Sequence, residues 1–329
     1  MKYRLSSAVL AAVFTTGLAL PVLAADNLVV YTSMKESLIG ALRDEFLKQN
    51  PDVNFDYQSA GAGKLMAKIA AERQSGKIQT DVLWTSEVPD FYSMKNEGLL
   101  LQYKTPELDN VINPFDDYDG SFTAVRLGTL GIAYNTRFIK EAPKTWDDLK
   151  KPEYKKAYGI ANPALSGTSF MSIALMVKQF GWPYFEDLKA NGAVMGKGSG
   201  QVVDDTASGE LVASLAVDYI TIDKIKKGAT LNLVYPPEML VIPSPVCIFK
   251  GTPNEAVAKK FVDFLLSEAG QKIIASEGTL PVRKGVPVAH ETLPTPEEAA
   301  GRAIKIDYIA LMAEKEATIK KFSDLMMGK

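Results

Sequence analysis

The chain has 329 residues, 47% of them apolar, and 37 basic against 39 acidic residues give a net charge of −2. That length exceeds one average hydrophobic core and implies two domains. The near-neutral balance excludes a basic field for nucleic acid. One cysteine and one histidine exclude an internal disulfide and all but exclude metal sites of the His/Cys type.

The first stretch reads as an export signal. Lys2 and Arg4 make a positive start, Leu5 to Leu20 is apolar or small and uncharged, and Val22-Leu23-Ala24 suits a signal peptidase. Residues 1–24 are therefore expected to be removed, with cleavage after Ala25 as the alternative. The apolar run is short for a membrane span of about 20 residues, and Pro21 ends it. No cysteine follows it, so no lipid anchor is expected. No later segment is long and apolar enough to span a bilayer. The expected location is the periplasm, as a soluble monomer.

The mature chain opens on a short apolar strand, Asn27 to Thr32. Lys35 to Gln49 carries Leu38, Ile39, Leu42, Phe46 and Leu47 at helical spacing, and Asn50-Pro51 stops it. Val53, Phe55 and Tyr57 alternate, predicting a strand to Gln58. The loop Ser59-Ala60-Gly61-Ala62-Gly63 precedes a helix over Lys64 to Arg73. Asp81 to Trp84 is a buried strand and Val88 to Asn96 a helix. Such alternation implies parallel strands with helical crossovers. Residues 102–121, rich in Asp, Asn and Pro, predict a loop. Phe122 to Asn135 reads as a strand passing between domains, and Thr145 starts a capped helix.

A second alternating block follows. Tyr158 to Ala161 is a strand; Ser166-Gly167-Thr168 leads into a helix over Ser169 to Gln179; Trp182 to Asn191 is another helix. Val202 to Ala213 is expected to be helical and Ser214 to Ile220 a strand, with a further strand at Asn232 to Tyr235. Leu240 to Phe249, broken by Pro243 and Pro245, is the returning hinge strand. Asn254 to Ser276 reads as one long amphipathic helix, and 307–326 as a last one.

No catalytic group and no cofactor is expected. His290 sits between Pro287 and Pro294 in a turn-rich stretch, and neither a G-x-S-x-G elbow nor a Walker motif is present. Cys247, in the run Val246-Cys247-Ile248-Phe249, reads as a buried, inert thiol.

The order of several pieces is familiar. Asn27-Leu28-Val29-Val30-Tyr31, Thr80-Asp81-Val82-Leu83-Trp84, Asn96-Glu97-Gly98-Leu99-Leu100 and Ala133-Tyr134-Asn135-Thr136 come first. Pro143-Lys144-Thr145-Trp146-Asp147-Asp148-Leu149, Lys259 to Ser267 with Gly270-Gln271, and Pro281-Val282-Arg283 follow. Collinear and covering nearly the whole mature chain, they resemble the extracellular solute-binding proteins of ABC importers. The branch is the one that includes ferric-iron-, hexose-phosphate- and aminoethylphosphonate-binding proteins. The resemblance implies an α/β, two-lobed periplasmic-binding-protein fold. Two parallel-rich sheets flanked by helices would be joined by hinge strands around an interlobe cleft. Lobe one is expected over 25–130 and 250–300, lobe two over 131–249 and 301–329. It also implies partners: a small solute, and the permease and ATPase of the inner membrane.

The resemblance bears on the cargo as well. Iron-binding members use a His after the first strand, a Glu after the second and a Tyr-Tyr pair later. Here Lys35 falls at the His, Lys64 near the Glu, and Tyr219 stands beside Ile220. Two lysines oppose a trivalent cation and favour an anion. Capture of a phosphorylated sugar or phosphonate is the expected function, with ferric iron the alternative.

The residues expected to hold such an anion lie at strand ends. Ser33 and Lys35 follow the first strand, Ser59, Gly61, Ala62 and Gly63 the second, and Ser86 the third. Ser166, Gly167 and Thr168 stand before a helix in the second lobe. Small residues there let backbone N–H groups approach an oxyanion at a helix N-terminus, and in open α/β sheets ligands bind at that edge. Such loops also serve as plain caps and turns. Asp205, Asp218, Tyr219 and Glu238 are candidates for a polar tail.

Overall fold

A computed structural model describes residues 26–115, 118–305 and 307–329; the expected signal peptide lies outside the described residues. The elements in chain order are β1 (Asn27–Thr32), α1 (Glu36–Gln49), β2 (Asn54–Ser59), α2 (Ala62–Gln74), β3 (Val82–Trp84), α3 (Val88–Asn96) and β4 (Thr123–Asn135). Next come β5 (Tyr158–Ala161), α4 (Gly167–Phe180), α5 (Trp182–Ala190), β6 (Val194–Gly196), α6 (Ser199–Ser208), β7 (Ala213–Val217) and α7 (Asp218–Lys226). The chain ends with β8 (Leu231–Val234), β9 (Leu240–Ile248), α8 (Glu255–Leu266), α9 (Glu268–Ser276), β10 (Leu280–Pro281), α10 (Pro296–Arg302) and α11 (Tyr308–Met327).

Two parallel blocks, β2-β1-β3 and β7-β5-β6, are present as the alternation implied. They are not separate sheets. Antiparallel β9 and β4 stand between them, and the order β2-β1-β3-β9-β4-β7-β5-β6 is continuous. Strand β4 pairs with β9 along its first half and with β7 and β8 along its second, so it belongs to both lobes. Pro243 and Pro245 are tolerated in β9 because β3 reaches only Val246, leaving that edge of β9 largely free of a ladder. A register shift between Ala124 and Arg126 bulges β4 at Val125. Such a bulge bends its strand and re-aims the side chains beside it.

Three sequence expectations shift. The run through Leu215 leaves the sheet at Val217, and Asp218 opens helix α7 instead of extending a strand. Asp218 carries out the switch itself: its carboxylate accepts from the Tyr219 N–H at 2.7 Å and the Thr129 N–H at 2.8 Å. The long helix over Asn254 to Ser276 is two, broken at Ser267, whose hydroxyl accepts from the Gly270 N–H and caps α9. Short β6 and α10 were not expected at all.

Each lobe has an aromatic centre. Phe46 of α1 meets Phe261 of α8 at 5.3 Å between ring centroids, and Phe55 of β2 meets the same ring at 5.0 Å. In the second lobe Phe185 of α5 meets Phe322 of α11 at 5.3 Å. Burying each such ring contributes roughly 1.5–3 kcal/mol. Thr145 begins a single 3₁₀ turn through a capping box with Asp148, and buried Trp146 behind it donates to the Glu238 carbonyl at 2.9 Å. Helix α11 lies against α3 of the first lobe and α4 and α5 of the second.

Candidate functional site

A cavity of about 410 Å³ opens between the lobes, where the carboxyl ends of β1, β2 and β3 face those of β5, β6 and β7. Ser33, Lys35, Ser59, Gly61, Ala62, Ser86, Ser166, Gly167, Thr168 and Tyr219 border it. The remaining sequence candidates lie elsewhere. Gly63 is inside α2, against the backbone of Ala164. Asp205 is on the half-exposed side of α6. Glu238 lies outside the lining, and its backbone carbonyl accepts from the Trp146 indole. Asp218 is wholly buried behind the cavity, because helix α7 turns its first residue into the sheet.

The helices aim their first turns at this space. Lys35, Gly61, Ser166 and Gly198 stand at the N-caps of α1, α2, α4 and α6, and all four border the cavity. Unpaired N–H groups and the positive end of each macrodipole favour negative charge there. At the α4 and α6 ends three hydroxyls meet: Ser166 and Ser199 at 2.8 Å, Ser166 and Thr168 at 3.0 Å, Thr168 and Ser199 at 3.2 Å. On the opposite lobe Ser59 donates to the Met34 carbonyl at 2.7 Å, pinning the loops after β1 and β2 together.

Arg126 forms the floor, and its side chain is 1% exposed. The guanidinium donates from Nη1 to Thr279 at 2.7 Å and from Nη2 to Ser86 at 3.4 Å; Asp218 is 3.5 Å away, and Nε has no partner. Its charge lies 4.7 Å from the ring centroid of Tyr219, a cation–π distance. Asp218 receives four further hydrogen bonds, from the Thr129 N–H and hydroxyl, the Thr279 hydroxyl and the Tyr219 N–H. Burial raises its pKa, while Arg126 and these donors oppose the rise. Tyr219 is also raised by burial, with Arg126 pulling the other way.

Lys35 reaches across the cleft to Asp223 of α7 at 3.9 Å and lies 6.0 Å from the Tyr219 ring. Burial lowers its pKa, and Asp223 opposes that. Lys64 and Lys197 complete the cationic lining, and among the described residues no carboxylate borders the cavity. The chain thus surrounds one small space with four cationic side chains, seven hydroxyls (that of Tyr219 included) and several helix N-termini. Among the described residues no group of three or more His, Cys, Asp and Glu is placed to hold a metal.

Two groups of lining residues were not singled out from the sequence. Lys197-Gly198-Ser199-Gly200 repeats the strand–small residues–helix pattern of the other two loops, but the three-residue strand β6 before it is too short to signal itself. Arg126 had no local signal. It sits mid-strand among apolar residues, and the bulge beside it depends on pairing with β9.

Two α/β lobes joined by hinge strands around a polar cavity define a solute-binding protein. The model of the bacterial extracellular solute-binding protein family matches residues 41–300, and the chain belongs to that family. An uncharacterized protein of Haemophilus influenzae is 30% identical over 298 residues, covering 84% of each chain. A Salmonella typhimurium protein named for binding 2-aminoethylphosphonate in the periplasm is 24% identical over 265 residues, 77% of this chain and 75% of its own. Among solved structures, the periplasmic binding protein AfuA of Actinobacillus pleuropneumoniae, with fructose-6-phosphate bound, is 27% identical with a TM-score of 0.76. That match covers 92% of this chain and 98% of AfuA. Iron-bound HitA of Pseudomonas aeruginosa is 25% identical with a TM-score of 0.76, covering 90% and 99%. The protein is a periplasmic-type solute receptor of the ABC transporter class, with phosphonate-, sugar-phosphate- and iron-binding relatives. Among the described residues no helix is long and apolar enough to cross a membrane.

Proposed function

We propose that the cavity captures a small organic anion through a phosphoryl or phosphonate group, and that the receptor hands it to an inner-membrane permease and its ATPase. The observation that carries this reading is the cluster of Ser166, Thr168 and Ser199 hydroxyls at two helix N-termini, in a cavity that four cations and, among the described residues, no carboxylate line. Phosphoryl oxygens accept from all of these donors. Strands β4 and β9 act as the hinge between lobes assigned to 25–130 with 250–300 and to 131–249 with 301–329. Export by a cleaved signal over residues 1–24 and a monomeric receptor complete the proposal.

Ferric iron is the alternative; Tyr219 in the cavity and the likeness to iron-bound HitA favour it. Hard Fe(III) needs several anionic oxygens. Here Lys35 and Arg126 flank that tyrosine ring at 6.0 and 4.7 Å, and both repel a cation.

Thermal unfolding tests both readings. Ligand at about 100 times its Kd adds roughly 2.7 kcal/mol to stability, a shift of several degrees for a chain of this size. Hexose phosphates or phosphonates are expected to give it. If no phosphoryl or phosphonate compound raises Tm, while ferric loading produces a visible tyrosinate band, the anion reading is wrong and the iron reading stands.

A further inference from the structure

The cavity has two cationic ends, and the strand order separates them. One lies at the β5–β6 edge of the sheet, where the three hydroxyls stand with Lys197, and where Lys64 also lines the cavity from α2, whose Gly61 and Gly63 abut Leu165 and Ala164 before α4. Lys64 and Lys197 have no acidic partner among the described residues. The other end lies at the middle of the sheet, below β1, β4 and β7, where Lys35 and Arg126 share the ring of Tyr219.

The inner end is incompletely balanced. Asp223 stands 3.9 Å from Lys35, a distant pairing. Asp218 stands 3.5 Å from Arg126, but its oxygens are taken by Thr129, Thr279 and the Tyr219 N–H. The Arg126 Nε is buried without an acceptor, a costly state for a charged donor. One phosphoryl group at the hydroxyl end leaves Lys35 with only its distant partner and the Arg126 Nε still without an acceptor. An ammonium at the inner end would meet Lys35 and Arg126 with no lining carboxylate to receive it.

We infer that the ligand carries a carboxylate at the end opposite its phosphoryl group, seated at Lys35 and Arg126, and that the cavity rejects an ammonium in that place. The cargo is a phosphorylated carboxylic acid. This rests on the phosphoryl reading of the cavity and narrows it.

Three matched probes test it by isothermal titration: 3-phosphoglycerate, glycerol 3-phosphate and O-phosphoethanolamine, which pair one phosphoryl group with a carboxylate, a hydroxyl and an ammonium. The carboxylate probe is expected to bind about tenfold tighter than the hydroxyl probe, and the ammonium probe weakest. In Lys35→Gln the ratio between the first two is expected to fall toward one. A ratio near one in the native protein, a preference for the ammonium probe, or a ratio unchanged in Lys35→Gln overturns the inference. If hexose phosphates bind while that ratio is one, the phosphoryl reading survives and this one alone falls. If no phosphoryl compound binds, both fall.

Discussion

Gly63 of α2 stands against the carbonyl of Ala164 so closely that a Cβ on Gly63 would lie 2.2 Å from that oxygen. Gly61 meets the Leu165 carbonyl in the same way, at 2.2 Å. The contact joins the first lobe to the second across the mouth of the cavity. Gly63 lies in an ordinary helical turn, so within its own lobe alanine fits and favours the helix by up to about 1 kcal/mol. The need for glycine arises only when the lobes meet. Gly63→Ala is therefore expected to keep or raise the Tm of the ligand-free protein while weakening ligand binding at least about tenfold by obstructing closure. Titration and thermal unfolding on one preparation check this; undiminished affinity would show that the seam does not control closure.

Arg126 and Asp218 are buried together, and removing one strands the other. Arg126→Met is expected to cost about 3–5 kcal/mol of stability. Adding Asp218→Asn should return much of that loss, because the uncompensated charge is then gone. Denaturant midpoints of the two single variants and the double variant measure the coupling. Strictly additive losses would refute it.

Ser199 is the first residue of α6, and Gly198 is its cap, so its hydroxyl is free of a capping duty. Ser199→Ala is expected to leave stability within about 0.5 kcal/mol. It should weaken phosphoryl binding about fivefold, the equivalent of roughly 1 kcal/mol for one hydrogen bond. Ser166→Ala loses affinity too, but also about 1 kcal/mol of stability, since Ser166 caps α4. The contrast between the two variants is the readout.

Behind the cavity, Lys315 of α11 pairs with Glu87 at 2.6 Å and also with Asp90, tying the C-terminal helix to the first lobe. Burial pushes Glu87 from 4.5 up to about 7, helped by Asp90 and Glu316 and opposed by Lys315. The folded protein therefore binds more protons than the unfolded chain between those values. Glu87 accordingly makes stability fall as pH rises through that window. Glu87→Gln should remove this slope, matching the native protein below pH 4.5 and exceeding it above about 7. Lys315→Met leaves two buried carboxylates without their cation and should cost about 3–5 kcal/mol near neutral pH, less as acid protonates them. Unfolding curves at several pH values for the three proteins decide it; parallel curves would exclude a role for Glu87 protonation.

How far the chain could be read from its sequence follows the range of the forces involved. Apolar spacing located most helices and strands, because it records which face of a local element is buried. The loops after β1, β2 and β3 and before α4 were legible for the same reason: small residues and hydroxyls at a strand-to-helix turn are local chemistry. Asp218 was read as a strand end facing the ligand, and it faces the core instead. That direction depends on Thr129 and Arg126, which lie 89 and 92 positions away in the chain.

The sequence by itself thus determined two α/β blocks and the small-residue loops that edge the cleft, since both follow from local periodicity and turn chemistry, while the receptor class came from the resemblance its collinear segments carry. Only the tertiary structure decided the rest. It placed Arg126 on the floor through a bulge that depends on β9, and it removed Asp205, Asp218 and Glu238 from the lining. It also set Gly63 against Ala164, 101 positions on. These outcomes rest on backbone approach and charge burial between segments far apart in the chain, which no local pattern of residues records.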